Sequence, residues 1–550
     1  MRTITNPETL EKERFQAIES DRIDQQPEFK QWCVLAWHHY RQVLAEADLE
    51  MRPYQPEFAA HYCYRRHNIG ALSQGGGKTL IAGLQIASIY CEPDRPIPEL
   101  SSYLPKPRPG QIHIGVPHAL AAERWLTDLP LVPALRGKIK YVRSSKDLRR
   151  TTAQILIYNQ DLVKHKAKGA KTNVKYMKKY LRPALLIIDE AHNLKPGTTR
   201  TKTLEELRLT AKRTLVLTGT LSDGDLSALP HLCRFVYQDQ FPYKDSSQFS
   251  RYFGVNRQIK TDYKKGSQTD TGRYLRHLDV SRLPEYYNLM RRFVHRVTLD
   301  DPEVKPFVSY PKPRWETTIV STTQEQRRLH HQFLQDHLQK LQALSESSEE
   351  DTVLRAMHPL IRIANAPAKE SEKLRWTKDK IAGENDKVAV FSLTNDGARR
   401  LYEYLNTAGL STVRLYANDE AADPPKMGDE QRMKTKNRFM TDPQVQCLIL
   451  QINLAAEAID LQNAGRVIFY DLPWSSLKVQ QAVSRVSRPG NPRAEVAVDL
   501  VATEGLIDEH QLNLVKRKMQ LSNLMFDYDL DFDEPQDTSP TQVIDELLTS

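Results

Sequence analysis

Cysteine is scarce and scattered: the five in 550 residues, Cys33, Cys63, Cys91, Cys233 and Cys447, form no C-x-x-C pair and no cluster with histidine at metal-ligand spacing. That excludes a disulfide framework or a zinc site as the organising principle and points to a reducing compartment. Runs of 18 apolar residues are also missing, and the opening stretch MRTITNPETLEKERF is polar. Neither a membrane span nor a secretory leader is expected, so the reading is of a cytoplasmic protein in a prokaryote or virus, or a nuclear one in a eukaryote. Lysine and arginine are absent from Asp527 to Glu546, where eight acidic residues fall. Setting those eight charges aside from the net charge of +9 leaves about +17 on the rest of the chain, a balance suited either to a polyanionic partner or simply to solubility.

What is present is an ordinary globular mixture, 40% hydrophobic and 27% charged residues, long enough for about three domains. Short apolar or β-branched runs alternate with helical patterns, which predicts an α/β protein with parallel sheets. One cluster comprises NIGAL (68–72), QIHIGV (111–116), QILIYN (154–159), ALLIID (184–189) and TLVLTGT (214–220). A second comprises KVAVFS (387–392), STVRLY (411–416), QCLILQ (446–451), RVIFYD (466–471) and EVAVDLV (495–501). The expected organisation is an N-terminal helical segment over 1–50, a first lobe over 51–225, a helical and polar region over 226–380, a second lobe over 381–520 and a disordered acidic tail over 521–550. Within the middle region QRRLHHQFLQDHLQKLQAL reads as an amphipathic helix and SESSEED as an exposed loop.

Ligands of such sheets collect at the carboxyl ends of the strands. ALSQGGGKTL (71–80) follows the first strand there and opens a helix. Gly75, Gly76 and Gly77 would let backbone N–H groups converge on an anion, Lys78 would reach the outer phosphates and the Thr79 hydroxyl would hold Mg²⁺. The first position of that phosphate-loop pattern is Leu72 rather than glycine, so a plain glycine-rich connector is the competing reading. ALLIIDEAHNLK ends a buried strand with Asp189 and Glu190, one suited to a metal and the other to an attacking water, or else to an acidic helix cap. Near the far end, VQQAVSRVSRPG spaces Arg485 and Arg488 to share one face of a helix, either to stabilise phosphoryl charge or as a solvated basic surface.

In order, MRPYQ (51–55), GGGKT, VPHALAAERW (116–125), IDEAH (188–192), LTGT (217–220) and QAVSRVSR (481–488) resemble the ATPase motifs of helicase superfamily two. RFVHRV (292–297) and VIFYDLPWSSLKVQQAVSRVSR narrow the resemblance to the Swi/Snf-type DNA translocases, over roughly residues 50 to 505. The resemblance implies two RecA-like lobes joined by a helical region and closing on ATP and Mg²⁺, with double-stranded or branched DNA as partner. It places Gln55 near adenine, Lys78 and Thr79 on phosphates and metal, and Asp189 and Glu190 as metal-binding and water-activating carboxylates. His192 and Thr218, Gly219 and Thr220 would couple nucleotide to DNA, and Arg485 and Arg488 would be arginine fingers. A strand-separating helicase and a nucleotide-switched nucleic-acid scaffold are the alternatives.

The chain departs from the family pattern at LAAEAIDL, where Ala455, Ala456 and Ala458 stand for glycines and Asp460 for an asparagine, and at Ser487, where histidine is usual. Alanine disfavours positive φ, which implies a stiffer loop. Trp474 reads either as a buried anchor or as a DNA-stacking ring. The basic segment KHKAKGAKTNVKYMKKYLR (164–182) suits phosphate contact or a solvated loop. The acidic tail suits a protein partner, nucleic-acid mimicry or solubility.

Overall fold

The computed structural model describes residues 52–73, 75–90, 112–165, 172–219, 221, 228–244, 246–258, 274–278, 282–345, 350–455, 459–526, 543 and 547. The segment 1–50, the junction residue Thr220, the two alanines 456 and 458 and most of the acidic stretch lie outside them. The chain divides into two compact units, Met1–Val308 and Ser309–Ser550.

In the first unit every strand of the main sheet is parallel. It is built from β1 (His67–Leu72), β2 (Ile112–Val116), β3 (Ile139–Val142), β4 (Ile155–Asn159), β5 (Leu185–Ile188) and β6 (Arg213–Thr218). The hairpin β7 (Gly254–Gln258) and β8 (Tyr274–Leu278) is separate, and β9 (Val294–Val297) closes the main sheet in the order β3-β4-β2-β5-β6-β1-β9. β2, β5 and β6 are buried along their whole length, as the unbroken apolar runs of a sheet covered on both faces require.

The second unit holds another parallel sheet: β10 (Lys312–Val320), β11 (Lys387–Ser392), β12 (Thr412–Leu415), β13 (Cys447–Gln451), β14 (Ala464–Phe469) and β15 (Glu495–Thr503), ordered β10-β15-β14-β11-β13-β12. Phe391, Leu448 and Val498 belong to the core on one face, and Val390, Ile449 and Ile468 to that on the other. This is the two-sheet, RecA-like α/β architecture expected.

The middle region differs from expectation. Besides helices it contributes β9 to the first sheet and β10 to the second, together with the hairpin. β10 escapes the sequence reading because its residues KPRWETTIV are mostly polar at an exposed sheet edge, rather than forming an apolar run. The long amphipathic pattern is two helices, Gln324–Asp336 and Leu338–Ser345, interrupted at His337. At the other extreme, residues 521–526 continue the helix Ile507–Phe526, and Val543 and Leu547 are buried with Met357, Leu360 and Ile507.

One buried ion pair lies wholly inside the second unit. Lys373 donates from Nζ to Asn365 Oδ1 at 2.6 Å and to Asp508 Oδ2 at 2.7 Å, with both charged side chains at 0% exposure. The same Asp508 oxygen accepts from the Thr503 N–H and hydroxyl, each at 3.1 Å. Helix Glu372–Ala382, the end of β15 and helix Ile507–Phe526 are thereby tied at one point.

Candidate active site

β1 ends at Leu72 and the phosphate loop begins. Gly75 and Gly77 have φ of 85° and 86°, a region that side chains with a Cβ avoid. Gly77 is doubly constrained, because a Cβ there would meet Gln55 Nε2 at 2.4 Å. The residues before β1 grip the loop: Arg52 Nη1 donates to the Gly75 carbonyl at 3.3 Å and the Tyr54 hydroxyl to the Gly76 carbonyl at 3.4 Å. In a trans peptide C=O and N–H point in opposite directions, so fixing the Gly76 carbonyl on Tyr54 turns the Gly77 N–H away from that ring. Gln55 itself is buried and accepts from the Arg52 N–H. The far side of the loop is stitched to β9, since the Ser73 N–H donates to the Val297 carbonyl at 3.0 Å.

Helix Lys78–Tyr90 starts at the lysine itself, with Thr79 in its first turn. β6 lies between β1 and β5, and the residues at the ends of these three strands converge. Glu190, just past β5, adopts φ 49° and ψ 55°, a left-handed conformation costly for a residue with a long side chain. It sets Glu190 Oε1 3.7 Å from Lys78 Nζ and Oε2 3.3 Å from His192 Nδ1. His192 Nδ1 in turn lies 3.2 Å from the hydroxyl of Thr218, at the end of β6. Gly219 follows, and Thr220 falls outside the described residues.

Asp189 is held from three directions. Its Oδ2 accepts from Trp125 Nε1 at 2.8 Å, its Oδ1 from the Glu190 N–H at 3.0 Å, and its backbone carbonyl from Gln160 Nε2 at 2.7 Å. Burial, and next the Glu190 charge, raise its carboxyl above the ordinary range, while Lys78 and Trp125 pull the other way. A carboxyl raised on folding costs stability above its unfolded pKa, and the cost fades as it protonates at lower pH. Arg52, Tyr54, Trp125 and Gln160 were not assigned from the sequence. Arg52, Tyr54 and Trp125 lie inside motifs quoted above, so the signal was there but not their contacts; Gln160 had none.

Phosphate and Mg²⁺ fit this donor set. No hydrogen-bond partner reaches the buried Lys78 ammonium among the described residues, and a helix N-terminus lies beside it. No group of three or more His, Cys, Asp or Glu side chains that could hold a metal occurs among the described residues, whereas Mg²⁺ habitually takes one or two protein oxygens and the rest from phosphate and water. Thr79 and Asp189 match that habit.

In the second unit, helix Ser476–Val483 stops before the arginines. Arg485 and Arg488 therefore do not share a helix face, as the spacing suggested, but lie in the turns beyond it, both buried at 6% exposure. A solvated basic surface is ruled out for them. Arg488 Nη1 bonds Asp460, and Ser487 donates to the Pro311 carbonyl at 2.5 Å. Trp474 is partly buried and packs against the cluster of Leu506 and Ile507.

The family resemblance is borne out by comparison. Residues 121–369 match the SNF2-related domain and residues 372–490 the helicase conserved C-terminal domain. The chain is a Snf2-type ATPase of helicase superfamily two. This Snf2-type ATPase is 25% identical over 494 residues to the uncharacterized ATP-dependent helicase YqhH of Bacillus subtilis, covering 85% of this chain and 78% of that protein. It is 21% identical over 417 residues to the human DNA annealing helicase and endonuclease ZRANB3, covering 73% of this chain but 34% of that protein. Among solved structures, a Sulfolobus solfataricus SWI2/SNF2 ATPase core in complex with dsDNA is 18% identical, covering 88% of this chain and 93% of that one, with a TM-score of 0.37. The enzyme hydrolyses ATP, as the superfamily does. No helix among the described residues is long and apolar enough to cross a membrane.

Proposed function

We propose that this Snf2-type ATPase uses ATP hydrolysis to track along double-stranded or branched DNA. The observation that carries the reading is the continuous contact at one sheet edge from Lys78 through Glu190 and His192 to Thr218, with Asp189 fixed by Trp125. Lys78 binds the β- and γ-phosphates. Thr79 and Asp189 would hold Mg²⁺, which would supply charge neutralisation at the phosphates. Glu190 accepts the proton of the attacking water, and its resting pair with Lys78 exchanges for phosphate as nucleotide enters. His192, whose Nδ1 lies within reach of both Glu190 Oε2 and the Thr218 hydroxyl, reports the state of that carboxylate to the end of β6, and Arg485 and Arg488 meet charge that develops on the transferring group. DNA is supported by the positive charge outside 527–546 and by the activity in the human relative's name; the acidic stretch itself suits a basic protein partner.

ATP turnover measured in parallel with duplex DNA, branched DNA, single strands and RNA tests this. Duplex or branched DNA should stimulate most, affinity should fall as salt rises, and a triplex-forming third strand should be displaced only with ATP. Efficient separation of a plain fork, together with equal stimulation by RNA, would favour the strand-separating reading instead.

The Trp125 contact gives a second expectation. Trp125→Phe keeps an aromatic ring but removes the hydrogen bond that aims Asp189. A Mg²⁺ titration of turnover should show the half-saturating concentration raised about three- to tenfold, the worth of one charge-assisted bond. An unchanged midpoint would assign Trp125 to packing alone.

A further inference from the structure

We propose that Asp460 restrains Arg488 and so sets the resting rate of ATP turnover in this chain. The inference rests on the reading of Arg488 as a cation that meets the transferring phosphoryl group. Asp460 is the acid that stands where an asparagine is expected, and the structure joins it to the Arg488 guanidinium in an ion pair.

The encounter is built in by the backbone on both sides. The Leu461 N–H donates to the Arg485 carbonyl at 2.9 Å, and Gln462 Nε2 donates to the Pro489 carbonyl at 3.1 Å. Asn491 Nδ2 bridges the Ala464 and Val486 carbonyls at 3.1 and 3.0 Å. The segment carrying the acid is therefore laced to the turn carrying the arginine through Leu461, Gln462 and Ala464, and the pair is fixed in register. Lys436 belongs to the same cluster: burial lowers its ammonium pKa, and the Arg488 charge adds to that effect. Asp460 is the carboxylate on which Arg488 rests.

A guanidinium needs no carboxylate to remain charged. What the pair changes is where the charge is felt. With a carboxylate in contact, the field that Arg488 projects towards an anion is largely cancelled, and one of its donors is occupied until that contact loosens. Asparagine has the same shape and can still accept a hydrogen bond, but it cancels nothing. The carboxylate side chain keeps 38% exposure and that of Arg488 8%, so solvent weakens the pair without abolishing it.

The test is steady-state ATP turnover of the full chain without nucleic acid, for wild type, Asp460→Asn, Asp460→Glu and Arg488→Ala. Asp460→Asn should raise kcat about two- to fivefold, the worth of a half-exposed ion pair, with KM for ATP moving by less than about twofold because ground-state binding is untouched. Asp460→Glu, which retains the charge, should stay near wild type. Turnover of Asp460→Asn at or below wild type, or equal acceleration by Asp460→Glu, overturns the restraint. Near-normal turnover in Arg488→Ala overturns the arginine's role and the restraint with it, whereas an inactive Arg488→Ala beside an unaccelerated Asp460→Asn removes the restraint alone.

Discussion

Lys78→Ala should abolish ATP turnover and weaken nucleotide binding, whereas Glu190→Gln should retain the nucleotide and lower turnover by about 10²- to 10⁴-fold, the usual worth of a positioned base. The contact between the two side chains sharpens the contrast. At rest Glu190 Oε1 is 3.7 Å from Lys78 Nζ, so entering phosphates must compete with it for the ammonium. Removing the carboxylate charge removes that competitor, and Glu190→Gln should bind ATP at least as tightly as wild type. Fluorescent-nucleotide titration beside single-turnover hydrolysis separates the two effects. Equal loss of binding in both variants would contradict the division of roles between cation and base.

The second large effect is on stability. Lys373→Met fills similar volume but leaves Asp508 buried without its cation, and such a loss costs about 3–5 kcal/mol. Asn365 and Thr503 cannot replace the charge, because one loses its donor in the same change and the other already bonds Asp508. Denaturant unfolding of the full chain should show the transition carrying the second unit move to lower denaturant. Pairing the change with Asp508→Leu should recover most of the loss, since an apolar pair of similar size needs no counter-charge. A single variant as stable as wild type would show that water or another cation reaches Asp508.

The strands with continuous apolar runs were legible in the sequence because a fully buried parallel strand has no other way to be written, and ALLIID and QCLILQ are plain examples. Those interrupted by polar residues, IKYV and KPRWETTIV, were not, since an edge strand is partly wet and mimics a loop or a polar helix. Site residues announced themselves where a short motif carries the chemistry, as in GGGKT and IDEAH. Their supports did not. The bond from Trp125 to Asp189 spans 64 positions and the grip of Arg52 on Gly75 spans 23, and no local pattern encodes a contact of that kind. The helix that the three-residue spacing of Arg485 and Arg488 suggested ends at Val483, because spacing alone cannot tell a helix from the turns that follow one.

The Ser73 bond to Val297 closes a ladder in which β9 lies parallel to β1, pairing Ile69 with Val294 through Leu72 with Val297. Val297 is also where the chain leaves that sheet on its way to Ser309. A pull along the strand axis would shear the hydrogen bonds of this ladder together rather than peel them one at a time. The strand that carries this load is the one seated against the root of the phosphate loop. Whatever displaces β9 along its own axis therefore displaces, mechanically, the neighbour of the nucleotide loop.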